Sequence, residues 1–165
     1  MSKPNILVIQ ADQLTALCLQ AYGTPYALTP HMDRIAARGT TYLNSYCNSP
    51  VCGPSRASMM TGRLPSNVGV YDNAGEFLSS EPTYAHYLRT LGYQTSLVGK
   101  MHFVGPDQLH GFERRLTTDI YPSDFSWTAD WSQYEEEYAP SRMSLLSVVE
   151  AGTCERSLQV DYDDH

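Results

Sequence analysis

The chain has 165 residues, of which 42% are hydrophobic and 18% are charged. This length and composition suffice for one domain with a hydrophobic core, and they argue against a disordered protein. The formal net charge of −7 argues against a sequence-independent nucleic-acid-binding protein, because phosphate contacts need a basic face. An acidic surface would attract a cationic ligand.

The first residues predict neither export nor membrane insertion. The apolar run over residues 6–9 is too short for the core of a signal peptide, and no stretch reaches the length of a membrane-spanning helix. The sequence therefore predicts a soluble, cytoplasmic protein that does not bind membranes. In a cytoplasmic protein, the four cysteines are expected to be free thiols, and their spacing matches no disulfide framework.

Predicted strands and helices alternate along the first hundred residues. Residues 5–10 contain four consecutive apolar side chains, which indicates a strand buried on both faces. Asp12 follows at its carboxyl end, the edge at which open α/β sheets bind ligands. The alternation predicts an α/β fold with a largely parallel sheet. The further predicted elements are a helix at 30–38, a strand at 40–46, helices at 55–61 and 83–91, and a strand at 93–98.

Residues 52–56, Cys-Gly-Pro-Ser-Arg, are the most informative segment. Cys52 lies in a turn just before a predicted helix, where unpaired backbone N–H groups favour a thiolate or an oxyanion. Arg56 can reach back with a forked donor from one turn later. Taken alone, a cysteine of this kind is more often a buried structural residue. A zinc site with Cys47 would lack a second pair of ligands.

The pattern Cys52-x-Pro54-Ser55-Arg56 resembles the signature of the formylglycine-dependent sulfatases, whose cysteine a formylglycine-generating enzyme oxidises to Cα-formylglycine. Other segments resemble family motifs in the same order, namely residues 5–13, 29–33, 57–62 and 99–102. The pair Asp12-Gln13 resembles the choline-sulfatase subfamily in particular. So do residues 46–50, 71–74, 105–112 and 116–122.

The resemblance covers nearly the whole chain. It implies an alkaline-phosphatase-like α/β fold with a mostly parallel sheet flanked by helices. It also implies that residues 1–165 are the N-terminal part of a sulfatase catalytic domain, so that the fold is incomplete in this chain. Since the family's later residues supply further metal ligands, a sulfate-binding lysine and the leaving-group acid, we expect the isolated chain to be inactive.

The resemblance also implies a mechanism. The hydrated aldehyde of residue 52 attacks sulfur, the alcohol leaves, and sulfate departs as the aldehyde re-forms. Asp12 and the modified Cys52 would bind a divalent cation, which is expected to be calcium because hard oxygen ligands suit it. Arg56 would hold the diol, Lys100 would bind the sulfate and reach towards residue 52, and His102 would remove the proton from the second hydroxyl.

The implied substrate is choline-O-sulfate. Asn73 would donate a hydrogen bond to a sulfate oxygen. Choline is a quaternary ammonium, which aromatic faces recognise, and Trp127 is similar to a choline-contacting tryptophan of the subfamily. Phe125 and Trp131, in the aromatic and weakly periodic segment 103–140, are also physically suitable. A homo-oligomeric state of the complete protein is left open.

Each of these side chains alone would more often have a structural role, so the assignments depend on their joint fit to the family pattern. Three interpretations stay open. The first is a choline-sulfatase, and the second is another hydrolase of the superfamily, such as an aryl- or carbohydrate-sulfatase or a phosphonate monoester hydrolase. The third is a non-catalytic protein whose fold serves as a binding module.

Overall fold

The computed structural model describes residues 3–117 and residue 119. The chain divides into two compact units, Met1–Tyr46 and Cys47–His165. Among the described residues, no helix is both long enough and apolar enough to cross a membrane.

The first unit is built from short helices. It contains two 3-10 helices, Ala16–Cys18 and Gln20–Tyr22, and the α-helix α1, Pro30–Ala36. Proline at the first helical position is compatible with a helix start because its missing N–H would have no partner there. The predicted helix at 30–38 is thus confirmed, although it ends two residues earlier. No residue from 3 to 46 is buried.

The prediction of two strands in this unit is wrong for the described residues. Residues 5–10 and 40–46 contain no strand, and the apolar side chains of the first segment are exposed, with 82% for Leu7 and 80% for Ile9. A strand needs backbone hydrogen bonds from neighbouring strands. Within the described part of the chain, neither segment receives such a ladder, so an apolar run is not sufficient to form one.

The described residues of the second unit form three helices and a small sheet. The helices are α2, Cys52–Thr61, α3, Pro65–Val68, and α4, Tyr84–Thr90. Helix α2 ends at Gly62, whose φ of 68° lies in the left-handed region that glycine adopts readily. The predicted helix at 55–61 is therefore confirmed with its stop, but it begins at Cys52.

Helix α4 confirms the predicted helix at 83–91. The Thr83 side chain and the N–H of Thr83 both engage His86, which forms a capping box. Ala85 is fully buried and Tyr84 packs, partly buried, against the core, whereas Tyr87 and Leu91 are 60% and 58% exposed. The helix therefore packs on the core through Ala85 and Tyr84.

Two short parallel strands form the sheet. Strand β1, Ser96–Leu97, pairs with β2, Arg114–Arg115, so that Ser96 lies opposite Arg114 and Leu97 opposite Arg115. The parallel pairing agrees with the predicted sheet type, but β2 falls in the segment 103–140 that was predicted to be irregular. The core between the sheet and the helices consists of Ala57, Met60, Val68, Val70, Phe77, Ala85, Leu97, Met101, Phe103 and Phe112.

Candidate active site

Cys52 is the first residue of helix α2, after Val51 at the N-cap position, and its side chain is half-buried. The first N–H groups of a helix have no partner within the helix, so they attract electron-rich atoms. One of them is already used, because the Gly53 N–H donates to Asn73 Oδ1 at 2.8 Å. A Cβ at position 53 would lie 3.1 Å from the Asp72 carbonyl oxygen. Glycine therefore permits this close approach of the loop to the helix.

Arg56 connects helix α2 to the loop that follows β1. Its side chain is almost fully buried, with a residue exposure of 5%. The guanidinium Nη1 donates to the Lys100 carbonyl oxygen at 2.6 Å and lies 3.6 Å from Met101 Sδ. A charged donor makes a strong hydrogen bond to a carbonyl in a site with little water. Arg56 therefore fixes the backbone from which the Lys100 side chain extends.

The Lys100 side chain extends towards Cys52, with its Nζ 3.7 Å from the Cys52 Sγ. The structure thus brings together Cys52 and Lys100, which are 48 residues apart in sequence. The Lys100 ammonium carries a full positive charge, and the start of α2 carries a partial positive charge. Both act on the side-chain atom that is bonded to Cβ of residue 52. This arrangement is suited to an anion.

His102 lies two residues further along the same loop and is 7% exposed. Its Nε2 is 2.9 Å from the Asn73 carbonyl oxygen. Because a carbonyl only accepts, Nε2 carries the hydrogen, and in the neutral ring Nδ1 carries the basic lone pair. Burial lowers the pKa of His102 below its usual value. The hydrogen bond to the Asn73 carbonyl acts in the opposite direction and raises this pKa, whereas the positive charge of Lys100 lowers it further.

Asn73 therefore joins two parts of the site. Its side-chain oxygen accepts from the start of α2, and its backbone oxygen accepts from His102. The sequence singled out Asn73 as a sulfate-binding donor, but these two structural contacts were not predicted. They depend on a loop 20 residues away in sequence from Gly53.

The residues that hold the 99–102 loop from the side of β2 were not predicted from the sequence. The Gly99 N–H donates to Thr117 Oγ1 at 2.6 Å, and Asp119 Oδ1 accepts from the Met101 and His102 N–H groups at 2.8 and 3.0 Å. Because the carboxyl ends of neighbouring parallel strands meet at one edge, polar residues just after β2 would have been a signal. That signal was hidden, since β2 was not predicted.

The remaining predicted site residues are Asp12 and Trp127. Asp12 is an exposed residue of the first unit, and Gln13 beside it has a φ of 54°. Trp127 lies outside the described residues, as do Phe125 and Trp131. Within residues 3–117 and 119, no group of three or more His, Cys, Asp or Glu side chains is arranged to hold a metal ion.

Residues 4–152 match the Sulfatase family. The chain is 52% identical to the choline-sulfatase of Rhizobium meliloti (strain 1021) over 162 residues, which are 98% of this chain and 32% of that protein. It is 34% identical to the N-acetylglucosamine-6-O-sulfatase of Bacteroides thetaiotaomicron over 144 residues, 83% of this chain and 25% of that protein. The chain thus spans between a quarter and a third of the length of these curated relatives.

The crystal structure of the phosphonate monoester hydrolase of Agrobacterium radiobacter is also similar, with a TM-score of 0.63 and 26% sequence identity. The similarity covers 72% of this chain and 26% of that one. The chain belongs to the sulfatase family and has the alkaline-phosphatase-like α/β fold.

Proposed function

We propose that the complete protein hydrolyses choline-O-sulfate to choline and sulfate, with a formylglycine derived from Cys52 as the source of the nucleophile. The observation that carries this proposal is the position of the Lys100 ammonium, 3.7 Å from Cys52 Sγ at the first turn of α2. The 52% identity to the Rhizobium meliloti choline-sulfatase, over 98% of this chain, supports the choice of substrate.

A sulfate ester carries negative charge into the site, and the sulfate product carries more negative charge than the ester. Lys100 binds the sulfate oxygens through its ammonium, and Arg56 holds the Lys100 backbone in place while adding a second fixed positive charge. Donors fixed before the reaction stabilise the developing charge without rearranging. Asn73 Oδ1 accepts from Gly53, so the Asn73 amide NH2 is the group that donates to a sulfate oxygen.

His102 serves as the base in this proposal. Because burial lowers the pKa of its ring, the neutral form is present at neutral pH and can take up a proton. The bond from Nε2–H to the Asn73 carbonyl fixes the tautomer and leaves Nδ1 as the accepting atom.

Sulfatases use a formylglycine and a divalent cation, which supply a hydrated aldehyde oxygen and a counter-charge for the sulfate oxygens. The Asp12 carboxylate is a hard oxygen donor and fits a calcium ion. The Cys52 thiol is a soft donor and fits calcium poorly, whereas an oxygen at the same position would fit. We therefore propose Asp12 and the oxidised residue 52 as two ligands of calcium.

The choline group is a quaternary ammonium and makes no hydrogen bonds, so we propose that Trp127 contacts it through its aromatic face. A Trp127→Ala variant should raise KM for choline sulfate and leave KM nearly unchanged for an aryl sulfate, whose alcohol part carries no positive charge.

Mass spectrometry of the tryptic peptide 39–56 tests the first step. The protein would be expressed with a formylglycine-generating enzyme, which is the partner proposed for its maturation. This peptide contains both Cys47 and Cys52, so Cys47 is an internal control. We expect alkylation at Cys47 only and an aldehyde at residue 52. An alkylated residue 52 in active enzyme would contradict the proposal.

Rates on choline sulfate, an aryl sulfate and a phosphonate monoester test the substrate. We expect the highest kcat/KM on choline sulfate and none with Cys52→Ala. A preference for the phosphonate would favour the alternative function that the Agrobacterium radiobacter hydrolase suggests. The cytoplasmic location stays a prediction, which cell fractionation would test.

A further inference from the structure

Asp119 makes contacts that differ from those of an ordinary surface carboxylate. Its side chain is 4% exposed, and its Oδ1 accepts two consecutive backbone N–H groups, those of Met101 at 2.8 Å and His102 at 3.0 Å. Burial by itself would raise the pKa of Asp119. The hydrogen bonds from the His102 N–H and from Arg115 outweigh burial and hold this pKa below its ordinary value, so the group is an anion at neutral pH.

The other carboxylate oxygen is held by Arg115. Arg115 Nη2 forms an ion pair with Asp119 Oδ2, and the Arg115 side chain is itself 8% exposed. The same guanidinium donates to Gln108 Oε1 at 2.8 Å and to the Thr117 carbonyl at 3.0 Å, and it lies over the Phe103 ring. Asp119 is therefore fixed in position by a side chain of strand β2.

The backbone that Asp119 holds has an unusual conformation. His102 has a φ of 56°, a left-handed value that residues other than glycine seldom adopt. Such a conformation persists only when the surroundings hold it. A buried ion pair contributes little net stability, because the attraction must offset the loss of hydration of both charges. The specific effect of this pair is thus on the loop that carries Lys100 and His102.

We infer that Asp119, held by Arg115, is a positioning residue that sets the backbone of Lys100–His102 and so aims the sulfate-binding ammonium and the base. This inference depends on the proposed function, because Lys100 and His102 have those roles there. Asp119 does not touch the substrate in this inference. It acts through the two backbone N–H groups from which it accepts hydrogen bonds.

The chain offers a matched control. Asp107 Oδ1 accepts from the Leu109 N–H at 2.9 Å and from the His110 N–H at 3.0 Å, and His110 also has a positive φ, of 39°. Asp107 thus makes the same kind of contact at a second loop, where its partners are Leu109 and His110 rather than Met101 and His102. The variants Asp119→Asn and Asp107→Asn each remove one carboxylate charge from such a contact.

The test compares both variants in the complete, formylglycine-containing protein. We expect kcat/KM for choline sulfate to fall at least about tenfold in Asp119→Asn and to stay within about threefold of wild type in Asp107→Asn. In a His102→Ala background, the further loss from Asp119→Asn should be smaller, because the part of its effect that acts through His102 is already lost. If Asp119→Asn does not fold, Arg115→Lys is the second variant. It keeps the positive charge but loses the forked guanidinium, and it is also expected to lower kcat/KM.

Amide hydrogen exchange gives a readout that does not need activity. Exchange at Met101 and His102 should be at least about tenfold faster in Asp119→Asn than in wild type. An active wild-type enzyme with unchanged rates in Asp119→Asn, or a loss that adds fully to that of His102→Ala, would overturn the inference. If wild type releases no sulfate, the proposed function fails, and unchanged exchange at these two amides would separately refute the positioning role.

Discussion

His110 should make the folded protein lose stability as the pH falls below neutral. Its side chain is fully buried, with the ring stacked 4.0 Å from Phe77 and edge-on to Phe103 at 4.5 Å. Burial lowers the pKa of His110 from 6.5 to about 4, against the Asp107 carboxylate, which raises it. The folded state therefore holds this ring neutral over a pH range in which the unfolded chain is protonated.

The direction and size of the effect follow from this difference. Stability rises with pH wherever the unfolded state binds more protons, so the full contribution is present above pH 6.5 and is lost as the pH falls towards about 4. One pKa unit corresponds to about 1.4 kcal/mol, so the loss between pH 7.5 and pH 4 is about 3 kcal/mol. This is a large share of the stability of an ordinary domain.

The variant His110→Phe keeps an aromatic ring between Phe77 and Phe103 and removes the titrating group. Unfolding by urea, followed by circular dichroism, would be measured for both proteins at several pH values from 7.5 to 4. Any packing change at position 110 shifts the variant equally at all pH values, so only the pH-dependent part of the difference counts. We expect that part to reach about 3 kcal/mol at pH 4. A difference that stays constant with pH would refute the reasoning.

Three further substitutions test the packing of the second unit. Gly53→Ala should lower both activity and melting temperature, because a Cβ there would lie 3.3 Å from Asn73 Oδ1 and disturb the bond that caps α2; a crystal structure that keeps this bond would count against it. Met60→Ala, at a fully buried core position, should lower the unfolding free energy by about 2–5 kcal/mol in urea titrations. Glu81→Gln breaks the exposed ion pair with Arg63 and should change that free energy by less than about 1 kcal/mol, and still less in high salt.

The amino-acid sequence by itself determined the features that depend on near neighbours. The end of α2 at Gly62 was predicted, because a glycine stop acts within one helical turn. The start of α4 was predicted to within one residue, at 83 rather than at Tyr84. The Cys52 signature and the loop 99–102 were singled out for similar reasons, since each motif is contained in a few consecutive residues.

Contacts between distant segments were decided only by the tertiary structure. Helix α2 begins three residues earlier than predicted, at Cys52, where the Gly53 N–H has its partner in Asn73, a residue 20 positions away. The strand predicted at 5–10 did not form in the described structure, because an apolar run becomes a strand only beside another strand. The hold of Asp119 on His102 depends on the pairing of β2 with β1, and such a long-range register leaves no local pattern in the sequence.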